Sequence, residues 1–152
     1  MSTSKSTTAY LALGSNRGDR AANLRYVAQR LEELGVHIAA KSRLYESESV
    51  ETGGMGDFLN AAMRVETALS AHELLDVTRK LEEELGRPPG RAGEHRPGPR
   101  LIDIDILLYG DEEYTEPVLQ IPHPRMHRRM FVLKPLLDVL DGGWVREANE
   151  DW

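Results

Sequence analysis

The spacing of apolar residues changes several times along the chain, and each change marks an element boundary. Ala9–Leu13 (AYLAL) is a short apolar run ending in Gly14-Ser15-Asn16, the pattern of a strand entering a turn. Asp19 is placed to cap a helix in which Leu24, Val27, Leu31 and Leu34 recur at helical spacing until Gly35 stops it. Val36, Ile38, Ala40, Ser42 and Leu44 then recur at period two, which predicts one strand with these five on a single face. Glu51–Gly56 holds three glycines in six residues and reads as a loop. Phe58–Thr67 alternates again, with Leu59, Ala61, Met63 and Val65 on one face and Phe58, Asn60, Ala62 and Arg64 on the other. Ser70-Ala71-His72-Glu73 is a capping box for a helix carrying Leu74, Thr78, Leu81 and Leu85 and ending at Gly86.

Residues 86–100 contain four glycines and four prolines, so regular structure is excluded there. Leu101–Tyr109 (LIDIDILLY) is a strand followed by a Gly110-Asp111 turn, with Ile102, Ile104, Ile106 and Leu108 expected to form one apolar wall. Pro122 and Pro124 fall in a loop, and a short helix is expected over about Pro135–Leu140. The order strand, helix, strand, strand, helix, strand predicts an α+β fold with a ferredoxin-like βαββαβ core. Its sheet is antiparallel, its helices pack on one face, and a C-terminal extension follows. Residues 1–8 are small and polar and are expected to form a flexible tail, with residues 9–152 as one domain.

Composition narrows the function. With 152 residues, 40% hydrophobic and 29% charged, the chain suits a single soluble domain with a real core. It has no cysteine, which excludes disulfides, thiolate metal sites and a cysteine nucleophile. No signal peptide and no apolar run of membrane-spanning length is visible, so the expected location is the cytoplasm. The net charge of −6 argues against broad nucleic-acid binding. Arginines are nevertheless concentrated: Arg87, Arg91, Arg96 and Arg100 against one glutamate in 86–100, and Arg125, Arg128 and Arg129 with Lys134 in 123–134. Two basic segments on an acidic body suit a small polyanion, or are simply solvated loops.

Asp103 and Asp105 carry the strongest chemical signal. On a strand they project side by side, opposite the isoleucine wall, and two adjacent carboxylates repel unless a cation or arginine lies between them. Oxygen ligands without His or Cys point to Mg²⁺, which one or two carboxylates hold together with substrate phosphates. The alternative is that both pair with arginines on a wet sheet face. Arginine forks suit phosphate oxygens, and carboxylates, magnesium and arginines together compose a phosphoryl-transfer site. Phe58 and Asn60 share a strand face where a ring could stack on a heterocycle and an amide could offer a donor and an acceptor together. Phe131 could supply a second ring, and His123 either contacts a nucleotide or satisfies its loop. A ligand-binding module without chemistry and a metal-dependent nuclease or phosphatase remain open on these residues.

The landmarks Leu13-Gly14-Ser15-Asn16, Phe58-Leu59-Asn60-Ala61-Ala62, Gly86-Arg87, Gly98-Pro99-Arg100-Leu101-Ile102-Asp103-Ile104-Asp105-Ile106 and Ile121-Pro122-His123-Pro124-Arg125-Met126 closely resemble the 6-hydroxymethyl-7,8-dihydropterin pyrophosphokinases of folate biosynthesis. The resemblance runs from Ala9 to about Leu140. It implies transfer of the β,γ-diphosphate of ATP to the pterin alcohol with release of AMP. It further implies two Mg²⁺ ions on Asp103 and Asp105, and Arg87 and Arg100 stabilising the transferring group. Phe58 and Phe131 would sandwich the pterin, Asn60 would read its edge, and Ser47 and Val50 would contact it, largely through the backbone. Glu82, Arg96, Ile106, His123 and Arg129 would line the ATP site. Phe58 replaces a tyrosine and Pro97 stands where a tryptophan can occur. No fused aldolase or pteroate synthase domain is seen, so a monomer performing this one step is expected. The loop 86–100 is expected to close over bound nucleotide.

Overall fold

The computed structural model describes residues 6–47, 58–86, 101–124, 130–140 and 152, with the side chains of Met130 and Phe131 excepted. Among the described residues, seven strands and three helices follow one another as β1 (Thr7–Ser15), α1 (Arg20–Glu33), β2 (Val36–Lys41), β3 (Tyr45–Ser47), β4 (Phe58–Thr67), α2 (Ala71–Glu84), β5 (Asp103–Tyr109), β6 (Tyr114–Thr115), β7 (Gln120–Ile121) and α3 (Met130–Val139). The main sheet is antiparallel with order β2-β4-β1-β5, and β3 continues β2 along the same edge of β4. This is the strand order of the expected βαββαβ core. β6 and β7 form a separate small hairpin.

Local chemistry sets the helix ends where the sequence places them. The Asp19 carboxylate accepts from the Ala22 amide at 3.0 Å. Ser70 and Glu73 exchange the reciprocal capping-box bonds, 3.1 Å to the Glu73 amide and 2.8 Å from the Ser70 amide. Gly86 follows α2 at φ 101°, a conformation that L side chains rarely adopt, and an added Cβ there would lie 3.5 Å from Leu101 Cδ1. The last residue before 87–100 and the first after it are therefore neighbours.

The core lies between the sheet and α1 and α2, where Leu11, Leu24, Leu31, Met63, Leu74 and Leu81 are fully buried. Each such side chain contributes about 1.5–3 kcal/mol relative to exposure. The helices do not all pack on one face, however. α3 covers part of the opposite face, over Ala40, Ala62 and Leu107, with its own Leu136 and Val139 buried there.

Four expectations need correction. β1 begins at Thr7, so Thr7 and Thr8, assigned to the tail, pair with Thr67 and Glu66. The single strand predicted over 36–44 breaks, because an irregularity between Ile38 and Ala40 turns Ala40 onto the α3 face, and β3 starts afresh at Tyr45. A second irregularity, opposite Tyr10 and Leu11, removes Leu108 from the isoleucine wall. Leu107 and Leu108 pack toward α3, and Tyr109 returns to the first core. α3 begins at Met130, and Pro135 lies inside it rather than at its start. The ring removes a donor to the Phe131 carbonyl and crowds it, a cost that burial of Leu136 and Val139 against the sheet offsets.

One ion pair ties α1 to α2. Arg30 donates to both carboxylate oxygens of Glu84, each at 2.9 Å, and the Tyr26 hydroxyl donates at 2.6 Å. The Arg30 bonds first, and the Tyr26 bond second, hold the Glu84 carboxyl down to about 2. A lowered folded-state value means that the tie is complete above the unfolded value of 4.5 and is lost as pH falls toward 2. The stability gap between the native chain and Glu84→Gln, measured by urea unfolding, is therefore expected to be constant above about pH 5 and to close below it.

Candidate active site

Backbone pairing at the ends of three strands builds the site. On one side of β1, Gly14 pairs with Asn60, and on the other with Asp103. Asn60 pairs outward in turn with Tyr45 of β3. One residue row therefore reads Tyr45, Asn60, Gly14, Asp103 across four strands, and paired residues point to the same face. With strands about 4.8 Å apart, Asn60 and Asp103 stand about 10 Å from each other. The next row down places Asp105 beside Ala12 and Ala62. These residues lie on the α3 side of the sheet, with Ala62 under α3 itself.

Position 14 leaves little room for a side chain. A Cβ at Gly14 would lie 3.4 Å from Asn60 Oδ1 and 3.4 Å from Phe58 Cδ1, so the ring and the amide both lean over this position. Asn60 is 4% exposed. Its Nδ2 donates to the Tyr45 carbonyl at 3.2 Å and to Ser47 Oγ at 2.8 Å. Both amide hydrogens are thus engaged within the protein. Of the donor-and-acceptor pair expected from sequence, the donor is taken up by these bonds.

The carboxylate side is anchored from below. Ser15 Oγ donates to the Leu101 carbonyl at 2.5 Å, and the Asn23 amide donates to Ser15 Oγ, the Arg17 carbonyl and the Leu101 carbonyl at 3.0, 3.0 and 3.2 Å. Ser15 is 1% exposed and Asn23 8%. This network fixes the backbone two residues before Asp103. From α2, the buried Glu82 carboxylate accepts the Ile104 amide at 2.9 Å, between the two aspartates. The half-buried His123 donates its amide to the Leu107 carbonyl at 3.0 Å, and its Nε2 lies 3.8 Å from Asp105 Oδ1.

The residues expected from sequence therefore divide into two groups. Ser47, Phe58 and Asn60 gather at the β3–β4 end, and Glu82, Asp103, Asp105 and His123 around β5. Ile106 stands apart, because its side chain is buried between the sheet and the helices, on the face opposite the aspartates. It presents no side chain to a nucleotide on the Asp103 face. Val50, Arg87, Arg96, Arg100 and Arg129 lie outside the described residues, as do Arg91 and the side chain of Phe131. Sequence reading assigned Ser15 to a turn and gave Asn23 no role. The signal was a polar residue at an inward helical position, one turn before the apolar stripe continues.

Asp103 and Asp105 form an all-oxygen pair on one strand face, and among the described residues no three His, Asp or Glu form a closed metal-binding group. A hard, incomplete donor set of this kind fits Mg²⁺ completed by phosphate and water oxygens. It does not fit Zn²⁺, which takes nitrogen and sulfur ligands in closed sites.

A family model described as 7,8-dihydro-6-hydroxymethylpterin-pyrophosphokinase matches residues 10–141. The chain belongs to this family. It is 42% identical over 132 residues to the 2-amino-4-hydroxy-6-hydroxymethyldihydropteridine pyrophosphokinase of Bacillus subtilis, covering 86% of this chain and 77% of that one. It is 40% identical over 148 residues to the protein of the same description from Methylorubrum extorquens, covering 93% and 91%. A folate synthesis bifunctional protein of Arabidopsis thaliana is 42% identical over 142 residues, 91% of this chain but only 29% of that protein. The crystal structure of Plasmodium falciparum HPPK-DHPS with pteroate superimposes with a TM-score of 0.64 over 91% of this chain and 39% of that one. At 17% identity it supports the ferredoxin-like fold alone. Among the described residues no helix is long and apolar enough to cross a membrane.

The crowding at Gly14 is testable. Gly14→Ala is expected to leave the urea midpoint near the native value, since its methyl meets both neighbours at ordinary contact distance. Gly14→Val is expected to displace Phe58 or Asn60 and to lower stability by about 1–3 kcal/mol in the same measurement.

Proposed function

We propose that this chain transfers the β,γ-diphosphate of ATP to the hydroxymethyl group of 6-hydroxymethyl-7,8-dihydropterin, releasing AMP. Family membership supplies the reaction class. The observation that carries the reading to these residues is the row that sets Asn60 and Phe58 on one side of Gly14 and Asp103 on the other. A heterocycle held at β3–β4 would then project its side arm toward polyphosphate held at β5.

Roles follow from the family resemblance, and residue chemistry agrees with them. Phe58 stacks on one face of the pterin with Phe131 on the other, and Asn60 Oδ1 accepts from the amino edge of the ring. Ser47 and Val50 complete the pterin contacts. Asp103 and Asp105 would hold Mg²⁺, with two ions proposed. When bound, Mg²⁺ supplies positive charge to the phosphate oxygens and fixes their orientation. Arg87 and Arg100 offer permanent charge to the transferring group. The resemblance would give Arg96, His123 and Arg129 contacts to the nucleotide, and Glu82 acts through the Ile104 amide by fixing β5. In the step itself, the alcohol oxygen bonds to the β-phosphorus as that phosphorus releases the oxygen it shares with the α-phosphorus. AMP departs with that oxygen, and the alcohol proton passes to solvent. Among the described residues no strong base adjoins the proposed alcohol position, in keeping with a reaction driven by positioning and charge neutralisation. We also read the chain as cytoplasmic and monomeric.

Incubation with ATP, Mg²⁺ and the reduced pterin alcohol tests the reading. AMP is expected to appear with a pterin diphosphate, and Asp103→Asn and Asp105→Asn are each expected to lose most turnover while thermal unfolding remains cooperative. ADP with a pterin monophosphate, free phosphate alone, or near-native turnover in either variant would contradict it.

A further inference from the structure

A buried carboxylate lies beside the pterin end of the site without entering it. Asp138 is 2% exposed and sits on α3, whose other inward residues, Leu136 and Val139, are apolar. Its oxygens accept from the Arg43 main-chain amide at 3.1 Å, from Arg43 Nε at 3.3 Å and from the Arg43 guanidinium terminus at 2.9 Å. The Tyr45 hydroxyl donates to it at 2.6 Å. Burial by itself would push this carboxyl up, but the Arg43 and Tyr45 bonds outweigh it and hold the group below the usual carboxylate range.

All four donors come from one short stretch, the turn into β3. β3 lies at the sheet edge, where Tyr45, Glu46 and Ser47 pair with Asn60, Leu59 and Phe58. An edge strand is paired on one side only, so contacts from outside the sheet help to fix its place. β3 supplies the two nearer of the three acceptors that orient the Asn60 amide, the Tyr45 carbonyl and Ser47 Oγ, and the Phe58 carbonyl at 3.5 Å is the third. An apolar residue at position 138 would join α3 to the sheet at lower desolvation cost than a carboxylate. What the carboxylate adds is direction, because its bonds fix the backbone of Arg43 and the ring of Tyr45.

We propose that Asp138 is a positioning residue for heterocycle recognition: through Arg43 and Tyr45 it fixes β3, and β3 fixes the Asn60 amide with its acceptor toward the ligand. The proposal rests on the pterin-binding reading above. It places a determinant of substrate orientation on a side chain that itself touches neither substrate.

Steady-state kinetics with each substrate varied in turn, on the native chain, Asp138→Asn and Tyr45→Phe, tests it. Asp138→Asn is expected to raise the pterin KM by about tenfold or more, as for a lost charge-assisted bond. The ATP KM is expected to change by less than about twofold, with kcat largely kept, as for a loss confined to substrate binding. Tyr45→Phe removes one donor and no charge. It is expected to shift the pterin KM in the same direction by a few-fold, and it carries the test if Asp138→Asn does not fold. An unchanged pterin KM in folded variants overturns the proposal, as do equal rises for both substrates, which would mark a purely structural role. A native chain that releases no AMP overturns the functional reading, and the proposal with it.

Discussion

The pairing of β1 with β4 on one side and β5 on the other is the constraint on which the site depends. It makes Gly14 the single residue between Asn60 and Asp103, and the absence of a side chain there lets Phe58 and the Asn60 amide close over the gap. Sheet spacing then sets the distance between the two halves of the site, about two strand separations. No loop has to fold to establish that distance. A reaction that joins a heterocyclic alcohol to a polyphosphate needs this kind of fixed separation, because its rate comes from holding two reactants in register.

Buried polar groups hold that frame rigid. Ser15 and Asn23 pin the Leu101 carbonyl before β5, Glu82 pins the Ile104 amide within it, and Asp138 gathers the turn into β3. Each is nearly sealed from solvent, and each has its hydrogen-bonding capacity directed at backbone or at a residue that fixes backbone. Satisfied networks of this kind specify one geometry, and leaving any member unpaired costs more than the bond contributes. The apolar core under α1 and α2 stabilises the fold, while these four groups decide where the chemistry is presented.

Much of this was legible in the sequence for a physical reason. Helix ends depend on neighbours three or four residues apart, so Asp19, Ser70 and Glu73 announce α1 and α2. Period-two alternation places Asn60 and Phe58 opposite Leu59 and Ala61, and Asp103 and Asp105 opposite Ile104 and Ile106. What stayed hidden depends on partners distant in the chain. Neither the irregularity near Ala39 nor that near Leu107 changes local composition, yet each moves residues between faces. Asp138 reads as an exposed helical aspartate until Arg43 and Tyr45 are brought beside it. Asn23 has no visible purpose until Leu101 returns to meet it. Register is a property of pairs of strands, and one strand's sequence does not contain it.

The central claim is that heterocycle and nucleotide occupy adjacent, separate places on either side of β1. Titration calorimetry of the unaltered chain tests it most directly, with the pterin alcohol added alone, then to protein saturated with Mg²⁺ and a non-transferable ATP analogue. Separate places require that both ligands bind one chain at once, each with a stoichiometry of one, and that pterin affinity is kept or increased when nucleotide is present. Competition between the two, with pterin heat vanishing on the nucleotide-saturated protein, would place them in one pocket and contradict the account.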